Sequence, residues 1–142
     1  MQNILTCSYL DRFRDFAPTV LRVVTGVTFA VHGWQKVDQM GLPAVTGMVA
    51  GLGFPVPVVF AVLLIAAELG GGILLVLGAF TRLAAKSLII VSLVALFGVH
   101  FPNGFSLANG GYEYILLLLA ASVSLALSGA GKWSVDRAIW KK

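Results

Sequence analysis

Glu68 and His32 are the side chains best suited by type to move a proton, and both lie within apolar stretches of the chain. With a rise of about 1.5 Å per residue along each apolar run, His32 lies about 21 Å up the first and Glu68 about 20 Å up the second. A lone carboxyl group at that depth would take up a proton, whereas beside an imidazole it can keep or share one. The two read either as catalytic proton-handling groups facing each other or as a structural hydrogen bond between helices. Lys36, His100 and Glu113 come higher, each at about 27 Å. His32 and Lys36 share a helical face, so a polar column is expected from the midplane to the outer mouth. The outer three read as a quinone-binding or substrate-binding site. Their plainer reading is an interfacial salt bridge in which Glu113 or His100 holds Lys36. After Glu68 comes Leu69-Gly70-Gly71-Gly72. Small residues let a neighbouring backbone or a flat ring approach. Gly71 and Gly72 are therefore candidates for quinone contact as well as for close helix packing.

Other polar groups are less deep. Arg22 and Lys86 lie about 6 Å in, within snorkelling reach of headgroups. With Arg82 they read as structural or topological anchors. No metal site is expected. The single cysteine, Cys7, gives no CxxC pair and no haem-attachment motif. A bis-histidine haem through His32 and His100 is disfavoured, because their depths differ by about 6 Å. Ile4-Leu5-Thr6-Cys7 is a poor lipidation signal, since no apolar run precedes it.

The elements that must carry these groups follow from composition. The chain has 142 residues, 58% hydrophobic and only 11% charged. Mean hydropathy is +0.93. A soluble domain this small could not bury so much apolar surface, which excludes a soluble enzyme, a disordered chain and a nucleic-acid-binding module. Runs of about 20 apolar residues span a bilayer as helices. Four are expected, at about 17–37, 57–80, 83–101 and 111–131, forming an all-α antiparallel four-helix transmembrane bundle in a single domain, 1–142. Residues 38–56 read as a short helix at the membrane surface or as an ordered loop, with Pro43 near its start and Gly51 or Gly53 as its cap. Residues 1–16 read as an interfacial segment, with Leu5, Tyr9, Phe13 and Phe16 on one face. Residues 132–142 read as a cytoplasmic tail carrying Trp133 and Trp140, with Ser134 as a helix cap.

Charge sets the orientation. If the N-terminus is cytoplasmic, then Arg12, Arg14, Arg22, Arg82, Lys86, Lys132, Arg137, Lys141 and Lys142 all lie at cytoplasmic ends, and only Lys36 lies outside. That bias places both termini in the cytoplasm.

The residues also resemble a family. Leu21-Arg22, Gly26, Phe29 and His32-Gly33-Trp34-Gln35-Lys36 are similar to the opening of the DoxX family. Glu68-Leu69-Gly70-Gly71-Gly72, Leu77-Gly78 and Thr81-Arg82-Leu83-Ala84-Ala85 resemble its second helix and hairpin turn. His100, Glu113-Tyr114 and Gly129-Ala130-Gly131-Lys132-Trp133-Ser134-Val135-Asp136 resemble its tail. The resemblance runs from about Pro18 to Arg137. It implies a four-helix membrane protein and an oxidoreductase component, with Arg22, His32, Lys36, Glu68, Arg82 and His100 as the family residues. It also implies kinship to subunits of a thiosulfate:quinone oxidoreductase, to members of oxidative-stress complexes and, distantly, to a eukaryotic cargo receptor. A fold shared so widely does not settle activity.

Two functions compete. The first is a membrane subunit of a redox complex, binding a quinone in the bundle and receiving electrons from a partner subunit or bound cofactor. The second is a scaffold or accessory subunit that holds partners or further copies in the membrane. A proton-coupled transporter is disfavoured, because small four-helix transporters often insert in both orientations and the charge bias forbids that here.

Overall fold

The computed structural model describes residues 7–140, except for the side chain of residue 140. Leu5, Lys141 and Lys142 lie outside this range, as does the Ile4-Leu5-Thr6 part of the lipidation-like motif. Every regular element among the described residues is helical.

Ser8–Phe16 is a 3-10 helix that starts after Cys7 in the left-handed region. Its turn is tighter than the α-helix expected from the apolar face, so Tyr9 and Phe13 stay exposed while Phe16 turns inward against Trp133. Helix α1 (Ala17–Gln35) takes Pro18 in its first turn, where no N–H is needed. It runs into a π turn at Lys36–Met40. Gly41 then redirects the chain at φ 75°, a conformation that excludes most side chains, and α2 (Gly41–Gly51) follows.

Helix α3 (Pro57–Leu77) also contains a π turn, at Ala66–Gly70. Gly78 closes it at φ 67°. The amides of Gly78 and Ala79 donate to Leu75 and Leu74 at 3.0 and 2.9 Å, the Schellman pattern. Helix α4 (Thr81–Asn103) includes a third π turn at Leu96–His100. Helices α5 (Glu113–Ser128) and α6 (Val135–Trp140) complete the chain described. Ser134 caps α6, its hydroxyl oxygen accepting from the Arg137 amide at 3.2 Å.

Ser8–Gly51, Pro57–Leu77 and Thr81–Asn103 are long and apolar enough to cross a membrane. Glu113–Ser128 is apolar but has 16 residues, about 24 Å of helix. These helices turn large apolar side chains outward as well as inward: Leu83, Ile90 and Leu127 are 67%, 64% and 75% exposed. Helices apolar all round belong in lipid.

The core lies between α1, α3, α4 and α5, where Phe29, Leu75, Leu88, Leu118 and Leu125 are buried together. A smaller cluster joins α2 to α3 through Val45, Val49 and Ala61. Glycines set the spacing of α1 and α3. A β-carbon at Gly26 would lie 2.7 Å from the Gly72 carbonyl oxygen, and one at Gly33 would lie 2.7 Å from Leu69 Cα. As residue numbers rise along α1 they fall along the facing stretch of α3.

Candidate functional site

Glu68 sits in the α3 π turn and is only 7% exposed. Its partner is Lys36, first residue of the α1 π turn, with Nζ 2.6 Å from Oε2. The approach is a close ion contact, and no other side chain or amide among the described residues donates to this carboxylate. A buried charge with one compensating ion and spare acceptor capacity is costly to maintain.

This pairing corrects both expectations for the deep acid. Glu68 does not meet His32, and Lys36 is not held by Glu113 or His100. The reason is the direction in which helical side chains lean. Each Cα–Cβ bond tilts toward the N-terminus of its own helix. Along α1 and α3, which run in opposite senses, the tilts oppose. Glu68 leans toward the end where Lys36 sits, and Lys36 leans back toward Glu68. Their difference in Cα depth is thus closed by the side chains. His32 starts level with Glu68 but leans away from it. Its ring instead stands edge-on to Tyr114 of α5, centroids 6.3 Å apart.

The other two members of the outer group serve the loop between α4 and α5. The His100 ring shares a hydrogen bond between Nδ1 and the Gly110 carbonyl at 2.8 Å. Glu113 Oε2 accepts from the Leu107 amide at 3.0 Å. The loop folds over the start of α5 and offers backbone partners nearer than Lys36. The expected trio is therefore dispersed.

Lys36, Glu68 and His100 nevertheless share one feature: each occupies a π turn. Such turns widen a helix locally and recur at functional sites. The first two π turns border a wholly aliphatic groove of about 670 Å³, which neither Lys36 nor Glu68 itself lines. Val37 and Leu69, the residues that follow Lys36 and Glu68, help to line it, and Gly70 opens onto it.

Gly71 and Gly72 leave no space for a ring. A β-carbon at Gly72 would stand 2.6 Å from the Gly26 carbonyl oxygen, and one at Gly71 would touch Leu88 and Ser87 at 3.4 Å. Both are helix contacts; Gly70 is the open position of the three.

Arg22 does not snorkel. It is 1% exposed, and its guanidinium donates to the carbonyls of Ala130 and Leu75 at 2.9 Å each, to Trp133 at 2.5 Å, and to Val76. Leu75 and Val76 belong to the last turn of α3, whose carbonyls form the negative end of its dipole; Leu75 also accepts from the Gly78 amide, and Arg22 adds to that cap. Arg22 thus ties α1 to the end of α3 and to the segment before α6. A β-carbon at Gly78 would come within 2.8 Å of Arg22 Cζ. Arg82 and Lys86 are exposed near the start of α4.

Sequence reasoning missed Asp136. Its carboxylate accepts from the amides of Phe80 and Thr81 at 2.7 and 2.9 Å, capping α4 from a distant part of the chain. A signal for it was present: the residues before Thr81 are Gly78, Ala79 and Phe80, none of which can cap through a side chain. Lys132 completes this clasp, its amide donating to Asp15 at 3.0 Å and its Nζ lying 3.5 Å from the Asp15 carboxylate.

Apolar helices, an ion pair sunk between two of them and an arginine-bound helix end define a helical integral membrane protein. The DoxX family model matches residues 17–101, and the chain belongs to the DoxX family. An uncharacterized protein of Haemophilus influenzae is 34% identical, with 94% of this chain and 98% of that protein aligned. The Bacillus subtilis protein called "Putative oxidoreductase CatD" is 31% identical over 93% of both chains. "Inner membrane protein YphA" of Escherichia coli is 31% identical over 93% of this chain and 98% of its own. No solved structure matches the chain.

Proposed function

We propose that this protein is an integral membrane subunit of a redox complex that binds a quinone beside the Lys36–Glu68 pair. The observation that carries this reading is the buried carboxylate with one partner, set in a π turn whose residues Ala66, Leu69 and Gly70 line an aliphatic groove. The groove suits an apolar ring or isoprenoid tail, and the pair suits its polar end. Quinone supplies the electron- and proton-accepting chemistry when bound. Lys36 would orient the oxygen and lend charge, and Glu68 would hold and release the proton at Oε2. His32, one turn along the same face of α1 from Lys36, is the next group able to pass it on. Electrons would come from a partner subunit or a bound cofactor, since one cysteine in the sequence gives no dithiol. A relative named as an oxidoreductase supports the reading by kinship.

In this reading the apolar helices form four antiparallel spans, α5 being the shortest, and both termini lie in the cytoplasm of an inner-membrane protein. A non-enzymatic scaffold is the second reading. Gly47 and Gly51 favour it: they form a small-residue face on α2 with nothing within 4 Å of either, open to a partner or a second copy.

The test is an organic extract of the purified full-length protein. Wild type should carry quinone, and Glu68→Gln and Lys36→Met should fold and carry much less. Wild-type protein free of quinone, and unable to take up a short-chain quinone in nanodiscs, would leave the scaffold.

A further inference from the structure

At the end of the molecule opposite the Lys36–Glu68 pair, a pocket of about 770 Å³ opens between the start of α4 and the segment before α6. Arg14, Arg82 and Arg137 line it, with Thr81, Asp15 and Asp136. Both acids are already engaged. Asp136 caps α4, and Asp15 faces Lys132. Arg14 has only an exposed contact with Asp11 at 3.2 Å. No carboxylate among the described residues pairs with Arg82 or Arg137. Arg82 lies across Gly129, which is held at φ 82°; a β-carbon there would stand 3.4 Å from Arg82 Nε. Thr81 is 1% exposed, and its hydroxyl has no hydrogen-bond partner. A concave site with cationic forks in excess of its acids, and a spare hydroxyl at its edge, is built for an oxyanion.

The surroundings indicate which oxyanion. Phe80 and Leu83, which line the pocket, stand exposed, as does Trp133 in the segment before α6. Aromatic and apolar side chains next to arginines, at the end of an apolar helix, mark headgroup level. We propose that this pocket binds a phosphate group, presented by the headgroup of an anionic phospholipid. Arg82 and Arg137 would grip its oxygens, Arg14 would close over them, and Leu83 and Trp133 would lie along the glycerol and upper acyl chain. Basic pockets at the headgroup level of helical membrane proteins bind lipid phosphates in this way.

The experiment uses the full chain in nanodiscs of phosphatidylcholine, with and without phosphatidylglycerol, and follows thermal unfolding together with lipids retained in native mass spectrometry. Phosphatidylglycerol should raise the melting temperature of wild type and stay bound as a discrete adduct. Arg82→Gln with Arg137→Gln should lose both effects. Arg12→Gln, at a cation lying over Phe13 outside the pocket, should keep them. A parallel arm adds inorganic phosphate or glycerol phosphate to the phosphatidylcholine discs. Protection by these soluble anions alone, lost in the double variant, would keep the phosphate site and overturn the lipid as its source. No protection by any of them, or equal protection in the double variant, would overturn the proposal.

Discussion

Gly72 and Ala30 meet backbone to backbone. A β-carbon on Gly72 would overlap the Ala30 amide nitrogen while standing 2.6 Å from the carbonyl oxygen of Gly26. Neither obstacle is a flexible side chain, so α1 and α3 would have to separate. Gly72→Ala should therefore destabilise the protein by about 1–3 kcal/mol, the usual cost of overpacking. Gly70→Ala meets nothing within 4 Å and should be neutral or gain up to about 1 kcal/mol from helix propensity. Thermal unfolding in one detergent separates the two.

Lys36 and Glu68 should behave as a coupled pair. Either Lys36→Met or Glu68→Ala leaves a buried charge without its counter-ion, at a cost of about 3–5 kcal/mol. The double variant removes both charges and should cost less than the sum of the two. A double-mutant cycle in nanodiscs measures this, and additive losses would contradict the pairing.

Glu113→Ala should act locally. The carboxylate holds the Leu107 amide, not Lys36, so the loss should be about 0.5–1.5 kcal/mol, that of one hydrogen bond. Hydrogen exchange should accelerate at Leu107 and stay unchanged around Lys36. Faster exchange at the Lys36 turn would restore the outer salt bridge expected from the sequence.

Replacing Arg22 should be among the most damaging single changes. Arg22→Met takes the donor from the carbonyls of Val76, Ala130 and Trp133, while Leu75 keeps the Gly78 amide, a loss of about 2–5 kcal/mol. Arg22→Lys should recover only part of it, because an ammonium lacks the planar fork that reaches separate carbonyls. A snorkelling anchor would tolerate Lys fully, so the Lys variant is the discriminating measurement.

Orientation is tested by reporter fusions. A fusion after Gly104 should read periplasmic, and one after Lys142 cytoplasmic. The same readout at both sites would contradict an odd number of crossings between them.

The sequence announced what depends on composition and short-range chemistry. Apolar runs became helices, Ser134 capped α6, and the order of motifs identified the family, although the second span, expected to reach residue 80, stops at Leu77 where Gly78 turns left-handed. Depth counting correctly flagged Glu68 as a buried ionisable group, yet it chose the wrong partner. It compared Cα heights and ignored side-chain tilt, which is invisible until helix directions are known to oppose. Arg22 was misjudged for a related reason. Its height alone fits a snorkelling cation, whereas its actual partners are backbone carbonyls supplied by two other parts of the chain. Backbone partners carry no residue-type signature, so Arg22's role could not be read from spacing; Gly78-Ala79-Phe80 showed that α4 has no local side-chain cap, but not that Asp136 supplies one.

The clasp formed by residues 129–136 also bears on how the protein is made. Ala130 and Trp133 complete the Arg22 site, and Asp136 completes the start of α4, so two junctions between early helices depend on residues synthesised after all the apolar ones. Until those residues leave the ribosome, the Arg22 guanidinium has only its Leu75 and Val76 partners, and the amides of Phe80 and Thr81 lack the Asp136 carboxylate. The closing segment is thus a late latch: these two junctions are completed only by residues made after the helices they join, so a chain cut before residue 129 should be cleaved faster by added protease than the whole one.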